Sequence, residues 1–284
     1  MIHLWKQRIP TFLLMAVSLA ACSTEPANTA QTTAASQETS SDLPADAPTY
    51  LVATDASNAP YELRDEQGKV TGFDIDLINA IAEQQGFKVQ VIAQSWTGIF
   101  DSLDNGTRHI VVAPITITEE RKKLVDFTDP YIYPTRSAFM LPERAQELGV
   151  KSFDDLKNVT IAMKDKTTNL TSLQEMFGKD HDKFMPVATQ YLAFKDMAGG
   201  KVDVGFGDTI VMRYHSKFFP NQKFIQIEQP LKEKIEAGYA VKKGNDELRN
   251  KLNAGLKAVR ENGTYQKIAE KWFDAESAAR VSQQ

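Results

Sequence analysis

An α/β fold is predicted by two observations. From Thr49 onward, short apolar runs alternate with segments of helical period, and the alternation runs through twice, once before and once after Pro142. The 284 residues, 42% hydrophobic and 25% charged, have an ordinary globular composition and enough chain for one large core or two medium ones.

The elements follow in order. Tyr50 to Thr54 reads as a buried strand. Phe73, Leu77, Ile78, Ile81 and Ala82 recur at helical spacing, Gly86 supplies a C-terminal stop, and Lys88 to Ile92 reads as the next strand, giving one βαβ unit. A second unit runs through Ile99, Phe100 and Leu103 on a short helix, an Asn105-Gly106 cap and the strand Ile110 to Ala113. Thr118 is placed to cap a further helix whose first turn carries Glu119 and Glu120, where the helix dipole favours negative charge. After Pro142 the series resumes with Phe153 to Leu156, a strand Thr160 to Met163, helices from about Asn169 to Phe177 and around Leu192 to Ala198, and a strand Val202 to Phe206. Asp246 to Asn262 puts Leu248, Leu252, Leu256 and Val259 on one helical face, and a short helix with Ile268, Trp272 and Phe273 follows.

The N-terminal region has a different character. Residues 1–21 have a basic start (Lys6, Arg8), an apolar run from Thr11 to Ala21 too short to span a bilayer, and small residues leading into Cys22, the sole cysteine. That pattern is an export signal, expected to be removed. Leu19-Ala20-Ala21-Cys22 resembles a bacterial lipobox, which implies a diacylated Cys22 thiol and cleavage before it. Residues 22–48 then form a lipid anchor and tether, because Ser23 to Pro48 is nearly all small and polar with one lone Leu43, too little apolar surface to fold. A mature chain without a second cysteine has no internal disulfide.

Several functions are excluded or weakened. A net charge of -4 with mixed signs provides no basic stripe for nucleic acid. The four histidines lack metal-ligand spacing, and no phosphate loop, nucleophile elbow or Cys/His pair is present, so neither metal nor cofactor is expected.

Three polar clusters fall at strand ends, where open α/β sheets bind ligands. In Thr54 to Tyr61, Asp55 either accepts ligand hydrogen bonds or caps a turn, Asn58 adds an amide, and Pro60 with Tyr61 offers an aromatic wall. In Pro114 to Arg121, Thr116, backbone N–H groups and the Arg121 guanidinium suit a carboxylate; the alternative for Arg121 is a surface ion pair with Glu119 or Glu120. The third cluster is divided between Lys164 to Asn169, containing Thr167 and Thr168, and Gly205 to Thr209, where Asp208 is the natural partner for an ammonium. Trp96 is either a stacking platform or a core residue.

Val52 to Asp55, Gly72 to Leu77, Ile115 to Lys123, Val125 to Tyr131, Lys164 to Thr168, Gly207 to Thr209 and Glu261 to Phe273 together resemble family 3 bacterial solute-binding proteins, the polar amino-acid receptors of ABC importers. The resemblance implies a periplasmic-binding-protein-like type II fold, two lobes joined by two hinge strands, with lobe 1 at 49–135 plus 232–284 and lobe 2 at 136–231. It implies a monomeric, extracytoplasmic receptor that takes a free L-amino acid to a permease. Arg121, Thr116 and the backbone around Thr168 would clamp the carboxylate, Asp208 and the Pro114 carbonyl would hold the ammonium, and Asp55 and Trp96 would meet the side chain. Two departures stand out. Lys166 replaces a common Gly, where positive φ is easily tolerated, and Asn58 replaces an aromatic wall. A basic (arginine or lysine) or amide (glutamine) ligand is favoured. The alternatives are a cyclohexadienyl dehydratase-like enzyme on the same fold, or a sensor domain.

Overall fold

The computed structural model describes residues 37–38 and 43–283. The expected export signal, Cys22 and most of the tether lie outside the described residues. Two mixed sheets carry the fold. The first has six strands, in the order Gln37–Glu38, Lys88–Ala93, Thr49–Thr54, Ile110–Thr116, Ala237–Lys242 and Val125–Phe127. Its three middle strands before the return are parallel, as βαβ units require, and Ala237–Lys242 comes back antiparallel to both Ile110–Thr116 and Val125–Phe127. The second sheet has five strands, in the order Phe184–Val187, Ile161–Lys164, Val204–Asp208, Arg136–Met140 and Ile225–Glu228.

The chain crosses between the sheets twice, before Arg136 and after Glu228. The crossings run side by side: Tyr131 N donates to Ala237 O and Ala237 N to Ile132 O, each at 3.0 Å. This pairing ties two segments that are distant in sequence into one ribbon between the lobes.

The helix Phe73–Gln85 ends as its sequence demands, with Gly86 in the left-handed region (φ 67). Its apolar face packs against Asp246–Glu261, whose Leu248, Leu252, Leu256 and Val259 are all buried in the same core. The two helices approach closely at Gly255, where an added Cβ would lie 2.7 Å from Ile81 Cγ2. The second sheet has its own core, with Leu156, Ile161, Met163, Leu173, Val204 and Phe206 on one face.

Five elements differ from the sequence reading in ways that matter to the site. The strand from Ile110 runs on to Thr116 with Pro114 inside it. The partner strand shifts register between Gly238 and Ala240, opposite that stretch, and so spares the hydrogen bond that proline cannot make. The strand expected over Thr160 to Met163 is Ile161–Lys164, so Lys164 sits at its carboxyl end. Arg136–Met140, Ile225–Glu228 and Ala237–Lys242 were not anticipated as strands; they are the antiparallel returns that follow the two crossings.

Candidate functional site

A cavity of about 90 Å³ opens between the sheets at the carboxyl ends of the parallel strands, room for a small solute rather than a single water. Of the residues singled out from sequence, Asp55, Asn58, Trp96, Pro114, Thr116, Arg121, Lys164, Thr167, Thr168, Asn169 and Asp208 line it. Tyr61 does not. It is fully buried behind the cavity, edge-on to Phe73 and Phe273, because its turn points the ring into the apolar core. Only its hydroxyl contributes, donating at 3.5 Å to the Asp208 carboxylate.

One end of the cavity gathers two guanidiniums and two hydroxyls. Thr118 caps the short helix Glu119–Lys122 by accepting from Arg121 N, which turns the Arg121 side chain back so that Nη1 donates to Thr116 O at 2.9 Å. The alternative of a surface ion pair is not realised: Glu119 pairs with Lys122. Across the cavity Arg136 Nη2 donates to Thr168 Oγ1 at 2.9 Å, and the Thr116 and Thr168 hydroxyls meet at 3.1 Å. Burial pulls the pKa of each arginine down to about 10; for Arg121 the neighbouring Arg136 adds to the effect. Both stay charged at neutral pH. Two partly dehydrated guanidiniums beside two hydroxyls are a set of donors that an anion can accept from.

Asp208 supplies the opposite charge. It caps the helix Thr209–Ser216, its Oδ1 accepting from Ile210 N (2.9 Å) and Val211 N (3.1 Å). Burial nevertheless raises its pKa to about 6, against the lowering by these hydrogen bonds and by Arg136. A Cβ at Gly207 would lie 2.4 Å from the Gln190 amide and force that side chain to move; Gln190 holds Phe206 O and receives Asn169 Nδ2. Asn169 and Gln190 thus form a wall beneath Asp208.

At the other end, Lys164 Nζ forms an ion pair with Asp55 Oδ2 and also donates to Ser57 Oγ at 3.2 Å. Asp55 also receives Ser57 N and Ser57 Oγ, so it both caps a turn and faces the cavity. Thr167 Oγ1 donates to Lys164 O and holds the strand end in place. The Trp96 ring lies beneath two cations, with Arg121 Cζ at 5.7 Å and Lys164 Nζ at 5.6 Å from its centroid, while its Nε1 donates to Lys166 O on the opposite lobe. Lys166 adopts φ 55, so the loop keeps a left-handed conformation that glycine would take without steric cost.

Sequence reasoning missed Glu62, Arg136 and Gln190, with Pro134 and Ile235 from the two crossings. Glu62 follows Tyr61 directly, and alternation of a buried and a cavity-facing side chain was the available signal. Its Oε2 and Asp74 Oδ2 are both buried and receive no donor from other groups. Burial pushes Glu62 well above the usual carboxylate range and Asp74 up to about 8. Among the described residues no group of three or more His, Cys, Asp or Glu is placed to hold a metal ion, and no helix is long and apolar enough to cross a membrane.

With this geometry in view, comparison with known proteins gives a consistent result. Residues 50–275 match the bacterial extracellular solute-binding proteins, family 3. A probable histidine-binding protein of Neisseria gonorrhoeae is 34% identical over 80% of the chain and 84% of its own length. A putative ABC transporter arginine-binding protein 2 of Escherichia coli (strain K12) is 32% identical over 80% of the chain and 91% of its own length. Among solved structures, the ancestral amino acid-binding protein AncCDT-1, described as a precursor of cyclohexadienyl dehydratase, superposes with a TM-score of 0.71 at 35% identity, covering 80% of this chain and 96% of that one. All three are binding proteins by name.

Proposed function

The chain belongs to the bacterial extracellular solute-binding proteins of family 3, and from that premise we propose that it captures a free polar L-amino acid in the interlobe cavity and hands it to an ABC importer. One observation carries this reading: an anion site made by Arg121, Arg136, Thr116 and Thr168 and the Asp208 carboxylate line one cavity of amino-acid size. A free α-amino acid presents those two opposite charges on one carbon. The α-carboxylate goes to the arginines and threonines, and the α-ammonium to Asp208 with the Pro114 carbonyl. Names among the relatives, histidine- and arginine-binding, support an amino-acid ligand. Basic and amide side chains are the two classes the chain's sequence favours.

We place lobe 1 at 49–135 with 232–284 and lobe 2 at 136–231, closing about the paired crossings. Trp96 to Lys166 and Thr116 to Thr168 are contacts that opening would break. Outside the cytoplasm, a diacylated Cys22 and the segment to Pro48 tether a monomeric receptor to a bacterial membrane, at the periplasmic side or the cell surface. A thermal-shift panel of free L-amino acids tests the ligand class, since a solute that binds the folded state raises Tm. Stabilisation by at least one amino acid is expected; no shift with any of them refutes the reading. Incorporation of labelled fatty acid, lost on Cys22→Ser, tests the anchor separately.

A further inference from the structure

The helix Ala275–Ser282 begins where the family match of residues 50–275 ends. Asp274 caps it, accepting from Ser277 N at 3.0 Å and from Ser277 Oγ at 2.8 Å. Its buried face is Ser277, Ala278 and Val281, and the last two join the core of the first sheet, which fixes the helix to lobe 1. Glu276 and Arg280, one turn apart, are exposed, and both reach across to lobe 2. Arg213 Nη2 donates to Glu276 Oε1 at 3.1 Å while its Nε donates to Gln226 Oε1 at 2.9 Å, so one guanidinium joins a strand of the second sheet to this helix. Arg280 Nη1 donates to Glu228 Oε1 and to Thr135 Oγ1, each at 3.4 Å, and those two residues flank the paired crossings.

Arg213 sits on the helix Thr209–Ser216, which is capped by Asp208. The element that presents Asp208 to the cavity at its start therefore presents Arg213 to the C-terminal helix further on, and its Val211 enters the same core as Ala278 and Val281. A rotation of lobe 2 about the crossings carries Arg213 and Glu228 with it and leaves Glu276 and Arg280 on lobe 1. In this structure the two ion pairs coexist with the contacts Thr116 to Thr168 and Trp96 to Lys166 across the cavity, so they belong to the arrangement in which the lobes meet. We propose, on the lobe division and amino-acid reading above, that the helix Ala275–Ser282 is a strap outside the cavity: its pairs Glu276 with Arg213 and Arg280 with Glu228 form as the lobes close and part as they open. Exposed ion pairs of this kind shift an equilibrium by about 1.5- to 5-fold each. The strap tunes closure rather than locking it, which suits a receptor that must also release its ligand.

Pulsed electron resonance between nitroxides at Asp104→Cys in lobe 1 and Lys179→Cys in lobe 2, in the full chain with Cys22→Ser, reads the lobe separation without ligand. Arg280→Glu sets a carboxylate against Glu228 and Glu276. It is expected to move the ligand-free population to longer separations and to speed release of the free L-amino acid that raises Tm most, by about 5-fold in stopped flow. Adding Glu228→Arg re-forms the pair and is expected to restore both readings. An effect through the stability of the helix alone would not be restored, because Arg280→Glu also removes a cation from the helix's last turn. Unchanged lobe separation in a folded Arg280→Glu, or no restoration by Glu228→Arg, overturns the strap and leaves the amino-acid reading standing. If no free amino acid binds, that reading fails, and the lobe separation still decides for or against the strap. Should Arg280→Glu not fold, the isosteric Glu276→Gln decides by the same separation.

Discussion

Binding should depend on pH through Asp208, and the size of the effect follows from its surroundings. The ordinary carboxyl value of 3.8 is raised to about 6 in the ligand-free protein, chiefly by burial. At about 1.4 kcal/mol per pH unit, roughly 3 kcal/mol opposes ionisation until a cation arrives. An arriving α-ammonium stabilises the carboxylate, so the ligand selects the ionised form. Above pH 7 Asp208 is almost wholly ionised and affinity should be flat. Below pH 6 the ionised fraction shrinks about tenfold per unit, so affinity should fall by about tenfold at pH 5 and approach a hundredfold at pH 4. Calorimetry at pH 4.5 to 8, in buffers of differing ionisation enthalpy, reads both the affinity and the proton released on binding. Asp208→Asn should weaken binding by about 2 to 5 kcal/mol and abolish this pH dependence. An affinity that holds steady down to pH 4.5, or a pH profile that survives in Asp208→Asn, would refute the assignment of Asp208 to the ammonium.

Three other outcomes are expected. Arg121→Ala should lower affinity by about 2 to 5 kcal/mol, measured by calorimetry, because the ligand carboxylate loses a buried partner. Asp74 is raised to about 8 by burial, so the folded state holds a proton that the unfolded state releases near pH 4; stability should decline from about pH 4 to pH 8, and Asp74→Asn should flatten that decline in urea melts, gaining about 5 kcal/mol at pH 8 and little at pH 4. Gly255→Ala should cost about 1 to 3 kcal/mol by chemical denaturation, since its Cβ would lie 2.7 Å from Ile81 Cγ2 and 3.1 Å from Ile81 O, and backbone cannot give way as a side-chain tip can.

Residues whose role is local were legible in the sequence. The helix Phe73–Gln85 with its Gly86 stop, the stripe of Leu248, Leu252, Leu256 and Val259, and the Thr118 cap follow from periodicity and capping chemistry, which act within one or two turns. Polar residues just after parallel strands were legible for the same reason, and this brought Asp55, Thr116, Arg121 and Asp208 to attention. The antiparallel returns were not. Arg136–Met140 is buried at every position, so it shows no alternation to distinguish a strand, and Arg136 was overlooked with it. The partnership of Lys164 with Asp55 depends on closure of two lobes, and no local rule pairs residues so far apart. Tyr61 misled because an aromatic beside a polar turn suits a ligand wall and a core equally well; burial against Phe73 and Phe273 decides for the core.

Recognition rests on one ligand presenting both α charges to the cavity. The most direct measurement is calorimetry of the preferred L-amino acid against two analogues, one lacking the α-ammonium and one with the α-carboxylate converted to an amide. Each loss should weaken binding by about a hundredfold or more, as expected when a buried charged partner is left unpaired. Either analogue binding as tightly as the parent amino acid would contradict the account.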